Sequence, residues 1–452
     1  MDPHKDASDV VAMNAIPLAS RSRFLTTWRI ARQPFEAYAR WRAKHGDTYL
    51  VRAINGDVVV TASTDMIRDL FRARTDEVEP FGVDAAVAFL GSRSLLLVRG
   101  EAHRRERELL TPPFHGRRMK AYGAAMRDAT LRATERWRAG SEVVLADTFL
   151  SISLDIIVHA VFGVLGENDK ARWTAALRTL VRRVSPAALF APVLQTSFFG
   201  LSPWDRFVEA REQLDALIYE AIRARRVSGE RGDDLLSLML DATYTDGTPM
   251  PDEGIRDELV TMLFAGHETT QIAMSWAVYR LHRRQETLAR LLEELAAHPD
   301  DPETLAQLPW LDAVVKESLR LQPIVPDIVR TLTVDQTLGG HELPAGTHVA
   351  PVAALVHADP ELYPQPDAFR PERFVDHTFR PWEFLPFGGG VRRCIGAALA
   401  TWEMKVVLGT LLPRFELEMR SIEYPVRRNI TMGPRHGVRA EVRAVRSLSQ
   451  AA

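Results

Sequence analysis

The sequence predicts a mostly α-helical protein with a minor β region. Three observations carry that prediction. From about residue 101 to 300, apolar residues recur at three- and four-residue spacing, the period of a helix with one buried face. Short strand-like runs bounded by turn residues gather in the first 70 residues and again after 333. No internal repeat and no low-complexity tract interrupts the chain.

Taken in order, "FEAYARWRAKHG" (35–46) reads as a helix. "TYLVRAI" and "DVVVTAS" follow as strands joined by Asn55-Gly56, and an Asn-Gly pair between apolar runs is a strong hairpin signal. Two stretches, 79–98 and 185–204, are too apolar for ordinary connections and are expected to cover something or be covered. A long helix is expected from about 252 to 284. Asp252, Glu253, Asp257 and Glu258 stand near its start, and Arg280, His282, Arg283 and Arg284 near its end, as the helix dipole favours. A further helix starts near Pro309 and stops at Pro323. After the turn-rich "LTVDQTLGGHELPAGTHVAPV", the helix "IGAALATWEMKVVLGTLL" ends at Pro413, which cannot continue it.

Bulk composition narrows the function. Of the 452 residues, 46% are hydrophobic and 26% charged, an ordinary globular mix. A net charge of -2 lacks the basic surplus of a nucleic-acid binder, so no nucleic-acid partner is expected. One cysteine forms no intramolecular disulfide and suits a reducing compartment. The start, "MDPHKDASDVVAMNAIPLAS", lacks a secretory apolar core with a basic flank. No run of 18 apolar residues occurs, so the expectation is a cytoplasmic chain without a membrane span, residues 1–20 forming a loose segment.

That cysteine, Cys394, sits in "FGGGVRRCIG" (387–396). Glycines 388, 389, 390 and 396 allow tight folding and close approach of a flat ligand. A helix start just beyond it, with Arg392 and Arg393 alongside, is expected to lower the thiol's pKa. A cysteine hydrolase would need a histidine and an orienting group, which the sequence does not exclude. A zinc site would need more Cys or His at short spacing, and none is near. Haem iron needs one strong protein ligand, which fits this loop best.

Phe387, Gly390, Arg392, Cys394 and Gly396 match the F-x-x-G-x-R-x-C-x-G loop of the cytochrome P450 family, which the chain therefore resembles. The resemblance implies that Cys394 is the thiolate ligand of haem b, that Phe387 packs near its sulfur within a loop that includes Gly388, and that Arg392 reaches a haem propionate. "KESLR" and "FRPERF" supply Glu317, Arg320 and Arg373, which the family uses as a structural lock behind the haem loop. "FAGHETTQ" (264–271) matches the family's oxygen-side helix: Ala265 and Gly266 line the haem, Thr269 faces the bound dioxygen, and Glu268 feeds protons. The same stretch is not a zinc-peptidase motif, because Gln271 stands where H-E-x-x-H needs a histidine. In "GEAHRRERELL", His103 and Arg107 lie four apart on one helical face, and with Arg330 they match further propionate contacts of bacterial members.

The resemblance implies one P450 domain over residues 1–452, a helix-rich triangular prism with small sheets, acting as a monomer. It implies monooxygenation of a hydrophobic small molecule: a fatty acid, a terpenoid or steroid, or a macrocyclic natural product. Electrons would come from NAD(P)H through separate partners, a ferredoxin with ferredoxin reductase or a flavodoxin-type donor, with Arg393 helping to dock an acidic partner. A peroxygenase on the same fold and a haem-binding sensor or carrier are the alternatives. The Glu268-Thr269 pair argues against both. Phe81, Phe89, Leu90, Phe198, Phe199, Val325, Ile430 and Thr431 are expected to wall the substrate pocket.

Overall fold

One helix, Asp252–His282, runs through the interior and organises everything around it. In this computed structural model, residues 16–82, 86–112, 117–163, 166–184, 195–198, 202–428 and 430–446 are described. Residues 254–263 and 270–279 of the central helix are buried on every face, which is why no amphipathic stripe marks its sequence. Its acidic first turn (Asp252, Glu253) and basic last turn (Arg280, His282) fall where the dipole favours them. The closest and most extensive helix pairing is with Leu145–Phe162, where Gly266 admits Ile157: a Cβ there would lie 3.0 Å from its Cδ1. Trp276, also fully buried, donates its indole N–H to the Met432 carbonyl at 3.2 Å.

The predicted hairpin forms as Thr48–Ala53 against Gly56–Thr61, antiparallel, with Ala53 opposite Gly56. Strands from the two β regions at the ends of the chain meet in one six-stranded sheet, and other strands after 333 form smaller sheets. Gly56–Thr61 pairs in parallel with His348–Pro351, Val59 opposite Val349, and the spatial order is Leu18–Ser20, Thr48–Ala53, Gly56–Thr61, His348–Pro351, Arg330–Leu332, Val78–Pro80. Both faces of this sheet are covered. Tyr49, Val51, Val58 and Val60 join one apolar cluster, while Leu50, Val59 and Val349 join another. Double burial explains why these strands read as continuous apolar runs rather than as alternation.

The Leu145–Phe162 helix bears on the expectation of no membrane span. Although no 18-residue run is wholly apolar, this helix is long and apolar enough to cross a membrane, with mean hydropathy 1.7. Its apolar character is spent inside the protein, where 61% of it is buried against the central helix and its neighbours.

The helix after the cysteine, Ala397–Leu411, carries a buried acid, Glu403, which accepts a 2.6 Å hydrogen bond from Ser153 Oγ on Leu145–Phe162. Burial, the larger effect, pushes the Glu403 carboxyl up to about 8, against the opposing pull of Ser153. In the unfolded chain the group ionises near the ordinary carboxylate value, so folding takes up a proton between there and pH 8. The contribution is fully present below the lower value and is lost as pH rises through the upper one. Thermal unfolding across this window should therefore show stability falling by up to about 1.4 kcal/mol per pH unit, a slope that Glu403→Gln removes.

Candidate active site

The cysteine loop folds on itself through backbone bonds: Cys394 N–H donates to Phe387 O at 3.0 Å, Arg393 N–H to Gly390 O and Gly388 N–H to Leu385 O, both at 3.1 Å. Gly388 and Gly390 both adopt φ +65, where a side chain is strained. The close approach that Gly389 and Gly390 permit is to Phe71. A Cβ on Gly389 would lie 2.1 Å from the Phe71 ring, and one on Gly390 2.9 Å from its carbonyl oxygen. Gly389 and Gly390 thus seat the loop on the Thr64–Arg72 helix, a partner that no local motif announces.

Cys394 lines a cavity of about 330 Å³ with Arg107, Thr111, Arg393, Thr401 and Lys405. The residue has accessible surface, yet the surrounding protein desolvates its sulfur. Burial pushes the thiol up, while the Gly396 N–H, Arg393 and Arg107 pull it down. The net direction is the reverse of the sequence expectation, because desolvation outweighs the donors.

Behind the loop, Glu317 is wholly buried. It accepts Arg320 Nε at 2.7 Å and Nη2 at 2.9 Å, the Arg370 N–H at 2.7 Å and Arg373 Nε at 3.2 Å. Arg320 also donates to the carbonyls of His357, Pro366 and Ala368, so one helix, Pro309–Leu321, gathers the chain from 357 to 373. His357 extends the network toward the cysteine. Its Nε2 accepts the Leu385 N–H at 2.9 Å, which leaves Nδ1 as the donor to Arg320 O at 3.0 Å. Sequence reasoning missed His357, since "VHADP" carries no spacing that points to Leu385.

His103, Arg107, Arg330 and Arg392 come from distant segments and converge. His103 is buried, its Nδ1 is unpartnered, and burial plus Arg392, Arg107 and Arg330 pull it down to about 3. Burial likewise pulls Arg330 and Arg392 down to about 10, Arg330 adding to the effect on Arg392. Arg392 also has an unpartnered, buried Nε. Arg330 Nη1 bonds only its neighbour's carbonyl at 3.0 Å, and Arg107 Nη2 donates to Arg393 O at 2.7 Å. Glu79 is the carboxylate acting on Arg392, and it is itself engaged by Arg99 at 3.3 Å. Partly buried arginines with spare donors, beside a buried neutral histidine, fit a doubly anionic group such as a pair of haem propionates.

Midway along the buried central helix, Phe264, Ala265, Gly266, Glu268 and Thr269 regain accessible surface. Thr269 Oγ1 donates to Ala265 O at 2.8 Å, one turn back, and Thr270 does the same to Gly266 O at 2.9 Å. His267 turns inward, its Nδ1 on Leu263 O at 2.7 Å. Among the described residues no group of three or more His, Cys, Asp or Glu could hold a metal ion. Phe264, Phe387 and Ile395 pack on the same core cluster, so the accessible window and the cysteine loop share one foundation.

The expected pocket walls are less uniform. Phe89 and Leu90 belong to the core, Phe89 packing on Phe207 with ring centroids 4.4 Å apart. Phe81 packs on His348 at 4.4 Å, beside the sheet. Val325 is half-buried, Thr431 buried and Ile430 exposed, and this region is joined by the Met432 N–H donating to Ile324 O at 2.8 Å. Phe198 is 63% exposed, in the capping turn of Pro203–Ser228, where its N–H donates to Asp205. Phe199 lies outside the described residues.

Removing Glu317 leaves Arg320 and Arg373 buried without an anion. Glu317→Ala should cost about 3–5 kcal/mol in denaturant unfolding, well beyond the effect expected of a solvated ion pair.

The Cytochrome P450 family profile matches residues 22–438. The chain is 38% identical to cytochrome P450 135B1 of Mycobacterium tuberculosis over 368 residues, which cover 80% of this chain and 76% of that protein. It is 36% identical to cytochrome P450 138 of the same organism over 395 residues, covering 86% and 87%. Two solved structures, retinoic acid-bound cyanobacterial CYP120A1 and the cytochrome P450DA heme domain, share the fold, each with TM-score 0.83 at 24% identity. They cover 94% and 95% of this chain, and the match takes in 99% and 98% of theirs. Agreement over nearly the whole length, at the level of sequence and of fold, identifies this chain as a member of the cytochrome P450 family and hence a haem-dependent monooxygenase.

Proposed function

We propose that the protein inserts one oxygen atom of O2 into a hydrophobic small molecule, using haem b held by Cys394. The observation that carries this reading is the convergence of buried His103 with the partly buried Arg107, Arg330 and Arg392, in which His103 Nδ1 and Arg392 Nε have no partner among the described residues, beside a lone cysteine. Cys394 Sγ would ligate the haem iron, and the cationic group would take the propionates. When bound, the haem supplies the oxygen activation itself.

The chain's own residues do the rest. Glu317, Arg320 and His357 hold the cysteine loop in register from behind. Thr269 keeps its hydroxyl proton on the Ala265 carbonyl, and rotation about one bond turns that proton toward the accessible window. Glu268, the preceding residue, is the acid that replenishes it. The apolar core residues around Phe264 exclude water and favour a greasy substrate, with fatty acids, terpenoids or steroids, and macrocycles as the classes to screen. Electrons come from NAD(P)H through a ferredoxin and its reductase, or a flavodoxin-type donor. A reducing cytoplasm suits the single thiol.

The first test is the absorption spectrum of the reduced protein with carbon monoxide. A far-red-shifted Soret band is expected for the wild type and not for Cys394→Ser; a histidine-like band in the wild type would sink the assignment. With ferredoxin, reductase and a turned-over substrate, Thr269→Ala should continue to consume NADH while product per NADH falls on the order of tenfold. Unchanged coupling would remove Thr269 from the proton path, and equal turnover with peroxide alone would favour the peroxygenase.

A further inference from the structure

Residues 91–98 run from the short helix Val87–Leu90 into Gly100–Leu110, the helix that bears His103 and Arg107. On one side they are held by the central helix. Gly91, at φ +88, lies so close to Asp257 that a Cβ would meet its Oδ1 at 2.0 Å. The Arg93 N–H donates to Asp257 Oδ2 at 3.0 Å, the Leu95 N–H to Glu258 Oε1 at 2.6 Å, and the hydroxyls of Ser94 and Thr261 meet at 2.7 Å. On the other side they are held by the cysteine loop. Arg392 donates from Nη1 to Leu95 O at 3.4 Å and from Nη2 to Val98 O at 2.6 Å. Leu95 is therefore gripped at its N–H by the central helix and at its carbonyl by an arginine two residues from Cys394.

Glu258 is an expensive way to hold one amide. It is fully buried, and among the described residues its Oε2 has no partner and it bonds no cation. An apolar side chain would fill the same space without that cost. We propose that Glu258 is a positioning residue that, through Leu95, fixes Arg392 and the cysteine loop relative to the central helix. This rests on the haem-thiolate reading only for its catalytic consequence, that the propionate-binding cations and the oxygen-side helix keep one register.

The ionisable neighbours sharpen the test. Glu106, on Gly100–Leu110, and the adjacent Asp257 act on Glu258 directly. Glu106 in turn takes the Tyr244 hydroxyl at 2.5 Å and feels Arg93 and Arg105, while Asp257 is paired with Arg256, which also holds Asp215. Burial first, then Glu106, holds the Glu258 carboxyl well above the usual carboxylate range, against the Leu95 N–H. Glu258→Gln keeps the acceptor and cannot ionise. Glu258→Met keeps the bulk and removes the acceptor.

Amide hydrogen exchange of the wild-type holoprotein and both variants decides the matter. In Glu258→Met, exchange across residues 93–98 should quicken about fivefold or more, with Pro309–Leu321 unchanged within about twofold. Glu258→Gln should keep the segment protected. After correction for intrinsic exchange, protection of the segment should fall in the wild type as pH rises from the ordinary carboxylate range, and stay flat in Glu258→Gln. The proposal is overturned if Met exchanges like wild type, if Gln and Met loosen alike, or if loosening spreads equally to Pro309–Leu321. A carbon monoxide spectrum of the same wild-type sample judges the haem reading separately: the exchange pattern without a thiolate band would sink that reading and leave the positioning role standing.

Discussion

A carboxylate with no access to water has to be surrounded by donors, and Glu317 is that carboxylate here. Its requirement is met only if Arg320, Arg373 and the Arg370 peptide all converge on it. Arg320 in turn draws three carbonyls from the irregular segment 357–368. A stretch that has no sheet or long helix of its own is thereby given one conformation. His357 hands that conformation on to Leu385, two residues before the cysteine loop starts. The ionic centre contributes specificity more than net stability, since its desolvation offsets much of its Coulomb gain.

The opposite electrostatic arrangement exists on the other flank of the loop. There, His103, Arg107, Arg330 and Arg392 crowd together with little negative charge among them, each made less basic by the protein around it. Such a cluster is unfavourable by itself and becomes favourable with an anionic guest. The fold sustains it because other parts supply the stability, chiefly the apolar contacts of the central helix and Leu145–Phe162.

Much of this was legible in the sequence, for reasons that can be named. The central helix announced itself by its charged ends, the hairpin by Asn55-Gly56, and the helix Pro309–Leu321 by its prolines, all local signals with local causes. The Glu317 trio was visible because three of its parts lie in short, recognisable runs. What stayed hidden depends on distant pairs. Nothing near residue 389 says that Phe71 will press against it, and nothing near Gly56–Thr61 names His348–Pro351 as its neighbour. The thiol's direction was misread because helix dipole and arginines are written in the sequence while desolvation is not. Phe89, read as pocket wall, is buried in the apolar core cluster, and apolar composition alone does not tell one kind of burial from another.

The histidine between lock and loop has a bearing on how the protein tolerates its own chemistry. With one ring nitrogen accepting an amide proton and the other donating to a carbonyl, His357 works as a rigid peptide surrogate, and burial pulls its pKa down to about 3. Across the ordinary range of cellular acidity it stays one neutral tautomer. A reaction that draws protons through Glu268 and Thr269 can therefore run beside a frame that does not respond to the draw. On the proposed reading, proton traffic and mechanical support are thereby insulated from each other.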